Sequence, residues 1–190
     1  MKTTEILTAK QLFERTKFFE NENIKVLAEL TKGTGLVLTG GAVLDILNGV
    51  EPKDCDFYQS YDNTNLLNTL YERGAELQYT SKTAYTFNYK RLTVQVLKTH
   101  VDKFDYTINA SQINLHNKYV AKFDMVSYMS GILIPTEHSF QRGYKSAECI
   151  KRLPKMQERG FSLPIITERT LKRNYSFLTY LLTYFSDTKS

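Results

Sequence analysis

The sequence predicts an α+β fold, in which a mixed β-sheet is flanked by helices and followed by a helical C-terminal extension. Apolar residues recur at helical spacing near both ends of the chain. The middle carries short segments rich in Tyr, Thr, Val and Phe, which are the residues favoured in strands. At 190 residues the chain is long enough to bury a hydrophobic core. We expect a head domain over residues 1–143 and the helical extension over residues 144–190.

The composition narrows the classes of protein to consider. Two cysteines, Cys55 and Cys149, are too few for a disulfide framework or a zinc site. The apolar runs are far too short to cross a bilayer, and the first residues lack the apolar segment of a secretory signal. We therefore expect a cytoplasmic protein without a membrane partner. The net charge of +5 favours phosphate-bearing partners, although on charge alone an ordinary basic surface is the better explanation.

Helical and strand periodicities predict the individual elements. The helices are expected at residues 8–32, 42–47, 63–72, 144–160 and 165–185, and the strands at 36–38, 54–58, 76–80, 84–89 and 92–97. Residues 105–115 are expected to form a further strand or strand pair, with a turn at Asn117. The pattern of residues 123–143 is ambiguous, and Pro154 should kink or break the helix that contains it.

The segment from Leu36 to Tyr58 carries the candidate chemistry. A short strand runs into Gly40 and Gly41, and a helix follows. Glycines let a backbone approach a ligand closely, and the N–H groups that begin a helix suit a phosphate. The pair Asp54 and Asp56 comes shortly afterwards.

Asp54 and Asp56 are predicted to share one face of a strand, because side chains at positions i and i+2 point the same way. Two close carboxylates repel each other unless a cation lies between them. Oxygen ligands suit Mg²⁺, which is commonly held by one or two carboxylates and by substrate phosphates. Cys55 would point into the core. Each motif is weak alone, since most Asp-x-Asp sequences are solvated loops, but their order together is more specific.

Three patches resemble a known family. Residues 40–45, Gly-Gly-Ala-Val-Leu-Asp, precede the Asp-Cys-Asp of residues 54–56, and residues 103–110 read Lys-Phe-Asp-Tyr-Thr-Ile-Asn-Ala. A basic helix at 150–153 is followed by Arg-Gly-Phe at 159–161. This pattern is similar to the head of class II CCA-adding enzymes and bacterial poly(A) polymerases, within the DNA polymerase β nucleotidyltransferase superfamily. It also resembles short phage-borne relatives.

The resemblance implies a nucleotidyltransferase fold, a nucleoside triphosphate and a probable RNA acceptor. It implies that Asp54 and Asp56 hold Mg²⁺ or Mn²⁺ and that they act in catalysis together with Asp105. The residues expected to contact the nucleotide are Gly40, Gly41, Asp45, Lys53, Asn109, Lys151 and Arg152. Simpler interpretations exist for the last part of the chain: Asp105 as a turn residue, Asn109 as a backbone partner, and the basic pair as a solvated helix face.

Two substitutions depart from the family pattern and leave the function open. Leu44 stands where the family has an arginine, and Gln95 stands on the strand where a third carboxylate is expected. Asp102 or Asp105 could supply the missing charge. The sequence therefore predicts transfer of a nucleoside monophosphate to RNA or tRNA. The alternatives are a weak or inactive binding protein of the same fold, or a toxin- or defence-type nucleotidyltransferase. The oligomeric state is not predicted.

Overall fold

The chain folds into two compact units. The computed structural model describes residues 7–59, 63–98, 103–141 and 147–163, with the backbone alone described at 140, 141 and 147–151. One unit comprises Met1–Val101 and Ala110–Met125, and the other comprises Asp102–Asn109 and Val126–Ser190. The predicted boundary between residues 143 and 144 stays a prediction, and the compact units divide the chain at other points.

The first unit is built on a mixed sheet of seven strands, which confirms the predicted α+β class. The strand order is β3-β4-β5-β2-β1-β6-β7. Strands β2 and β5 are parallel, and the other neighbouring strands are antiparallel. The strands are β1 (Leu36–Thr39), β2 (Asp54–Gln59), β3 (Glu76–Thr80), β4 (Ala84–Tyr89), β5 (Leu92–Leu97), β6 (Gln112–Asn114) and β7 (Tyr119–Lys122).

Alternating burial along the central strands separates an apolar face from a polar one. Cys55 and Phe57 of β2 are almost completely buried, and Val94 and Val96 of β5 lie beside them in register. The intervening side chains of both strands are only partly buried. This is the pattern expected of a sheet with one face packed on a core, and it leaves the other face available for polar chemistry.

Four helices belong to the described part of the first unit: α1 (Ala9–Arg15), α2 (Glu22–Thr31), α3 (Gly41–Leu47) and α4 (Leu66–Glu72). Their buried residues include Leu27, Leu30 and Leu44, each 0% exposed. Helix α4 begins later than residue 63 because the backbone N–H of Asn65 donates to the side chain of Asn63, which closes a turn at 3.1 Å.

The prediction of one helix over residues 8–32 is wrong. The chain turns at Lys17, whose φ is +52°, passes through a 3₁₀ turn at Phe18–Glu20, and restarts at Asn21, which caps α2 with its side chain. Phe13 and Phe18 are both buried, but on one continuous helix they would point about 140° apart. The break brings their ring centroids to 4.7 Å.

The prediction of a strand over residues 105–115 is also wrong for most of its length. Residues Thr107–Ala110 form a 3₁₀ turn, and only Gln112–Asn114 is extended. The backbone N–H of Asn109 donates to the carbonyl of Tyr106 at 3.1 Å, which closes the chain locally instead of extending it. The predicted turn at Asn117 is confirmed, because it joins β6 to β7.

The second unit contains the described helices α5 (Met125–Ser130), α6 (Glu137–Gln141) and α7 (Ala147–Glu158). Helix α7 continues through Pro154 to Glu158, and Gly160, two residues later, has a φ of +86°. The N–H groups of Gly160 and Phe161 donate back to Gln157 and Met156, the Schellman arrangement of a helix end. The helix predicted at 165–185 lies outside the described residues. Within the described part of the chain, no helix has the length and apolar character needed to cross a bilayer.

The break at Lys17 generates a stability prediction. Replacing Lys17 by Gly removes the strain of a side chain at positive φ, so Lys17→Gly should raise the free energy of unfolding by about 1 kcal/mol. The control Lys25→Gly, on the exposed side of helix α2, should lower it by about 1 kcal/mol. Urea denaturation measures both. If Lys17→Gly lowered the stability as much as Lys25→Gly, residue 17 would be helical and the break would be wrong.

Candidate functional site

The acidic pair lies on the polar face of the sheet, at the start of β2. Asp54 and Asp56 are partly buried, and Cys55 between them is 1% exposed on the opposite face. In the parallel pairing of β2 with β5, Asp54 is in register with Thr93 and Asp56 with Gln95. The two carboxylates therefore stand on the same side of one strand, as the alternation predicted.

Gly40 packs directly against the carboxylate of Asp56. It follows β1 with a φ of +73°, and a Cβ built on it would lie 2.8 Å from Oδ2 of Asp56 and 3.4 Å from its Cβ. Thr39, the residue before it, is in register with Asp56. Both the backbone conformation and the available space therefore require glycine at position 40. The turn that the sequence predicted to lie beside the acidic pair is in contact with it.

The pKa of the Cys55 thiol reports the electrostatic character of this region. Burial raises that pKa to about 12, with a further contribution from the charges of Asp56, Asp54 and Asp45. A thiolate at this position would be both desolvated and repelled by three carboxylates. Cys55 therefore stays protonated at neutral pH and acts as a packing residue.

The donor set fits a divalent cation that retains other ligands. Asp54 and Asp56 supply carboxylate oxygens, which Mg²⁺ and Mn²⁺ prefer. Among the described residues, no group of three or more His, Cys, Asp or Glu side chains is placed to hold a metal. A complete protein cage is thus missing from this part of the chain. A pair of carboxylates fits Mg²⁺, because this ion usually keeps water or substrate phosphate oxygens as its remaining ligands.

Gln95 lies on the polar face of β5 and is partly buried. It is the direct neighbour of Asp56 across the β2–β5 pairing, and Thr86 of β4 adjoins it on the other side. The sequence singled out Gln95 but missed Thr39 and Thr93, which the register places beside the acidic pair. Thr39 falls outside the strand predicted at residues 36–38, and the strand order was needed to bring both threonines next to Asp54 and Asp56.

Three further predicted residues of the first unit surround the turn and the acidic strand. Gly41 is the first residue of α3 and is partly buried. Asp45 lies in the same helix, close enough to Cys55 to act on its pKa. Lys53 directly precedes Asp54 and is exposed. The structure brings these residues to the same part of the fold, and their roles toward a nucleotide stay predictions.

The remaining predicted residues belong to the second unit. Asp105 is nearly buried and pairs with Arg152, whose Nε lies 2.8 Å from Oδ2. Asn109 is 3% exposed, and its amide nitrogen lies 3.7 Å from the sulfur of Met156. Lys151 lies in α7, but its side chain is outside the described residues. The sequence did not predict that Asp105 and Arg152 would form an ion pair.

The contact between Gly40 and Asp56 can be tested against a second glycine. Gly49 has a φ of +72°, but a methyl group there would have nothing within 4 Å, so Gly49→Ala should lose only about 1 kcal/mol of stability. Gly40→Ala adds a clash with Asp56 and should lose about 3 kcal/mol. Chemical denaturation compares the two variants. Equal losses would show that Asp56 does not pack against Gly40.

Comparison with known proteins finds relatives by structure alone, since no family model and no curated protein matches the chain. A CCA-adding enzyme from Thermotoga maritima, solved with tRNA, has a TM-score of 0.65 and 20% identity, over 84% of this chain and 44% of that one. A CCA-adding enzyme solved with CTP has a TM-score of 0.65 and 19% identity, over 83% of this chain and 45% of that one. A tRNA-processing enzyme has a TM-score of 0.63 and 22% identity, over 80% of this chain and 47% of that one.

The chain spans less than half the length of each of these enzymes. The similarity covers most of this chain, so it concerns the fold as a whole. The chain therefore has the fold of the matching part of CCA-adding and tRNA-processing enzymes, which confirms the nucleotidyltransferase fold that the sequence motifs predicted.

Proposed function

We propose that this protein is a nucleotidyltransferase that transfers a nucleoside monophosphate from a nucleoside triphosphate to a hydroxyl of an RNA, in the manner of a tRNA-processing enzyme. The observation that carries the proposal is the acidic pair Asp54 and Asp56 on one face of β2, with Gly40 packed against Asp56. Two carboxylates on one face of a strand suit a divalent cation such as Mg²⁺, which proteins commonly hold with one or two carboxylates and with substrate phosphates.

Asp54 and Asp56 would hold the cation, Mg²⁺ or Mn²⁺. When bound, the cation neutralises charge on the triphosphate and makes the attacking hydroxyl more acidic. Gly40 fixes the position of the Asp56 carboxylate, because the close approach leaves Asp56 little room to turn toward β1. The backbone of Gly40 and Gly41 would receive phosphate oxygens, and exposed Lys53 would add a positive charge beside Asp54.

The fold similarity supports this choice of substrates. One of the similar enzymes was solved with tRNA and another with CTP. Because this chain matches less than half of each, the acceptor and the nucleotide are proposals for this protein. A cytoplasmic location belongs to the same proposal, because the triphosphate and the RNA are found there.

Gln95 favours a second candidate function, a nucleotide-binding protein with slow or no transfer. Its amide is neutral, so beside Asp56 it can lend an oxygen to a cation but can neither add negative charge nor accept the proton of an attacking hydroxyl. Asp105 belongs to the second unit, where its carboxylate pairs with Arg152 at 2.8 Å, and this favours a role for both residues within that unit.

Nucleotide binding should depend on the cation. In calorimetric titrations with CTP and ATP, wild-type protein should bind at least tenfold more tightly with Mg²⁺ than with EDTA, because a triphosphate is repelled by bare carboxylates. Asp54→Asn and Asp56→Asn should each abolish that difference. The control Glu51→Gln removes a nearby exposed charge and should keep it. Equal affinity in Mg²⁺ and EDTA for the wild type would contradict the proposal.

The variant Gln95→Glu distinguishes the two candidate functions, an enzyme and a nucleotide-binding protein with little transfer activity. With labelled nucleotide, Mg²⁺ and total cellular RNA, wild type should transfer slowly, and Gln95→Glu should raise the rate by about 10²-fold because it restores a proton acceptor beside Asp56. Gln78→Glu, the same change on exposed strand β3, should leave the rate unchanged. Rapid wild-type transfer that Gln95→Glu does not increase would contradict the need for a proton acceptor at position 95.

A further inference from the structure

The β4–β5 hairpin carries an unusual turn. Tyr89 and Leu92 are paired, so the connection consists of Lys90 and Arg91 alone. Both have positive φ, +47° and +71°, as in type I′ turns, where Asn-Gly is the favoured sequence. Lysine and arginine are strained in this conformation, and nothing about the hairpin itself requires cations at its tip.

Among the described residues, contacts explain the presence of a cation at Lys90 but not at Arg91. The ammonium of Lys90 lies 3.5 Å from Glu29 and 5.3 Å from the ring centroid of Tyr89. Arg91 is exposed, and no hydrogen bond, ion pair or ring contact holds its guanidinium within the described part of the chain. Position 91 thus carries an arginine that the described residues do not engage, although glycine would be more stable there.

Strand register places this arginine beside the acidic pair. Thr93, two residues after Arg91, is in register with Asp54 across the parallel β2–β5 pairing. With strands about 4.8 Å apart and at most about 3.3 Å of chain per residue, the Cα atoms of Arg91 and Asp54 are no more than about 11 Å apart. An arginine side chain spans most of that distance, so a ligand at Asp54 is within its reach.

The order β5-β2-β1 gives the two sides of the acidic pair different neighbours. Gly40 lies on the β1 side, and the Lys90-Arg91 turn lies on the β5 side. In phosphoryl transfer the attacking and leaving oxygens are roughly in line, so they approach the phosphorus from opposite sides. If the pyrophosphate lies at Gly40, the attacking hydroxyl arrives from the β5 side.

We propose that Arg91 is an acceptor-binding residue, whose guanidinium contacts a phosphodiester near the 3′ end of the RNA that receives the nucleotide. The proposal rests on the proposed function and assigns the acceptor to one side of the site. A planar guanidinium suits phosphate oxygens through paired hydrogen bonds, and its charge offsets the repulsion between RNA and the acidic face. This role would explain why the turn keeps an arginine in a strained conformation.

The test measures binding and stability in the same variants. The probe is a fluorescent hairpin RNA with a short 3′ single strand, titrated with protein in Mg²⁺ at several salt concentrations. Arg91→Gly should weaken RNA binding about fivefold and make the slope of log K against log salt shallower by about 0.7. The same variant should melt about 2 °C higher, because glycine tolerates the positive φ.

The control Lys82→Gly removes one exposed cation from the β3–β4 turn, at the opposite end of the sheet, and should leave RNA binding unchanged. Arg91→Lys should recover part of the affinity. If Arg91→Gly bound RNA as tightly as wild type, or lost no more than Lys82→Gly, the proposal would be wrong.

Triphosphate binding separates this proposal from the function on which it rests. Arg91→Gly should bind CTP and ATP with wild-type affinity in calorimetry. Weakened triphosphate binding with unchanged RNA binding would move Arg91 to the nucleotide and overturn its assignment to the acceptor, while leaving the transferase proposal intact. If wild-type protein bound the triphosphate with Mg²⁺ but not the RNA, the acceptor proposal alone would fail.

Discussion

The backbone of Gly40 lies so close to Asp56 that no side chain fits between them, and the rest of the site depends on this contact. A methyl group at position 40 would meet the carboxylate at 2.8 Å. The end of β1, the start of α3 and the acidic strand are therefore held in one arrangement. The pairing of β2 with β5 then sets Gln95 beside Asp56 and Thr93 beside Asp54. The contact at Gly40 and the pairing of β2 with β5 thus determine which side chains lie close enough to act together.

Charge is distributed unevenly around this arrangement. The carboxylates of Asp45, Asp54 and Asp56 all act on the thiol of Cys55, and burial raises its pKa to about 12. Exposed cations stand at the edges of the same region, at Lys53 and Arg91. Carboxylates flanked by exposed cations suit a polyanionic substrate whose reactive phosphate approaches a metal ion held by Asp54 and Asp56. The neutral side chain of Gln95 makes the centre less acidic than a set of three carboxylates would be.

The sequence predicted most of the central sheet because its strands are rich in Tyr, Thr, Val and Phe, the residues favoured in strands. Three strands were located at the residues where the structure has them, from Glu76 to Leu97. The break at Lys17 escaped prediction because apolar spacing counts Phe13 and Phe18 alike, whether or not one helix can bury both. Residues 105–115 escaped because strand formers are equally common in buried turns. In both places tertiary packing overrode the local pattern.

The acidic pair and its glycines could be predicted from the order of motifs, but their neighbours could not. Gln95 lies beside Asp56, and the Lys90-Arg91 turn lies beside the site, only because β5 pairs with β2 in parallel. That pairing joins residues far apart in the chain, and no periodicity reports it. The ion pair between Asp105 and Arg152 depends in the same way on a long-range approach.

The most direct test of the proposed site is a crystal structure of the protein with Mn²⁺ and a non-hydrolysable nucleoside triphosphate analogue. We predict an anomalous scattering peak coordinated by Asp54, Asp56 and the phosphates, with phosphate oxygens against the backbone of Gly40 and Gly41. An analogue bound elsewhere, or bound here without a metal between it and the two carboxylates, would contradict the proposed site.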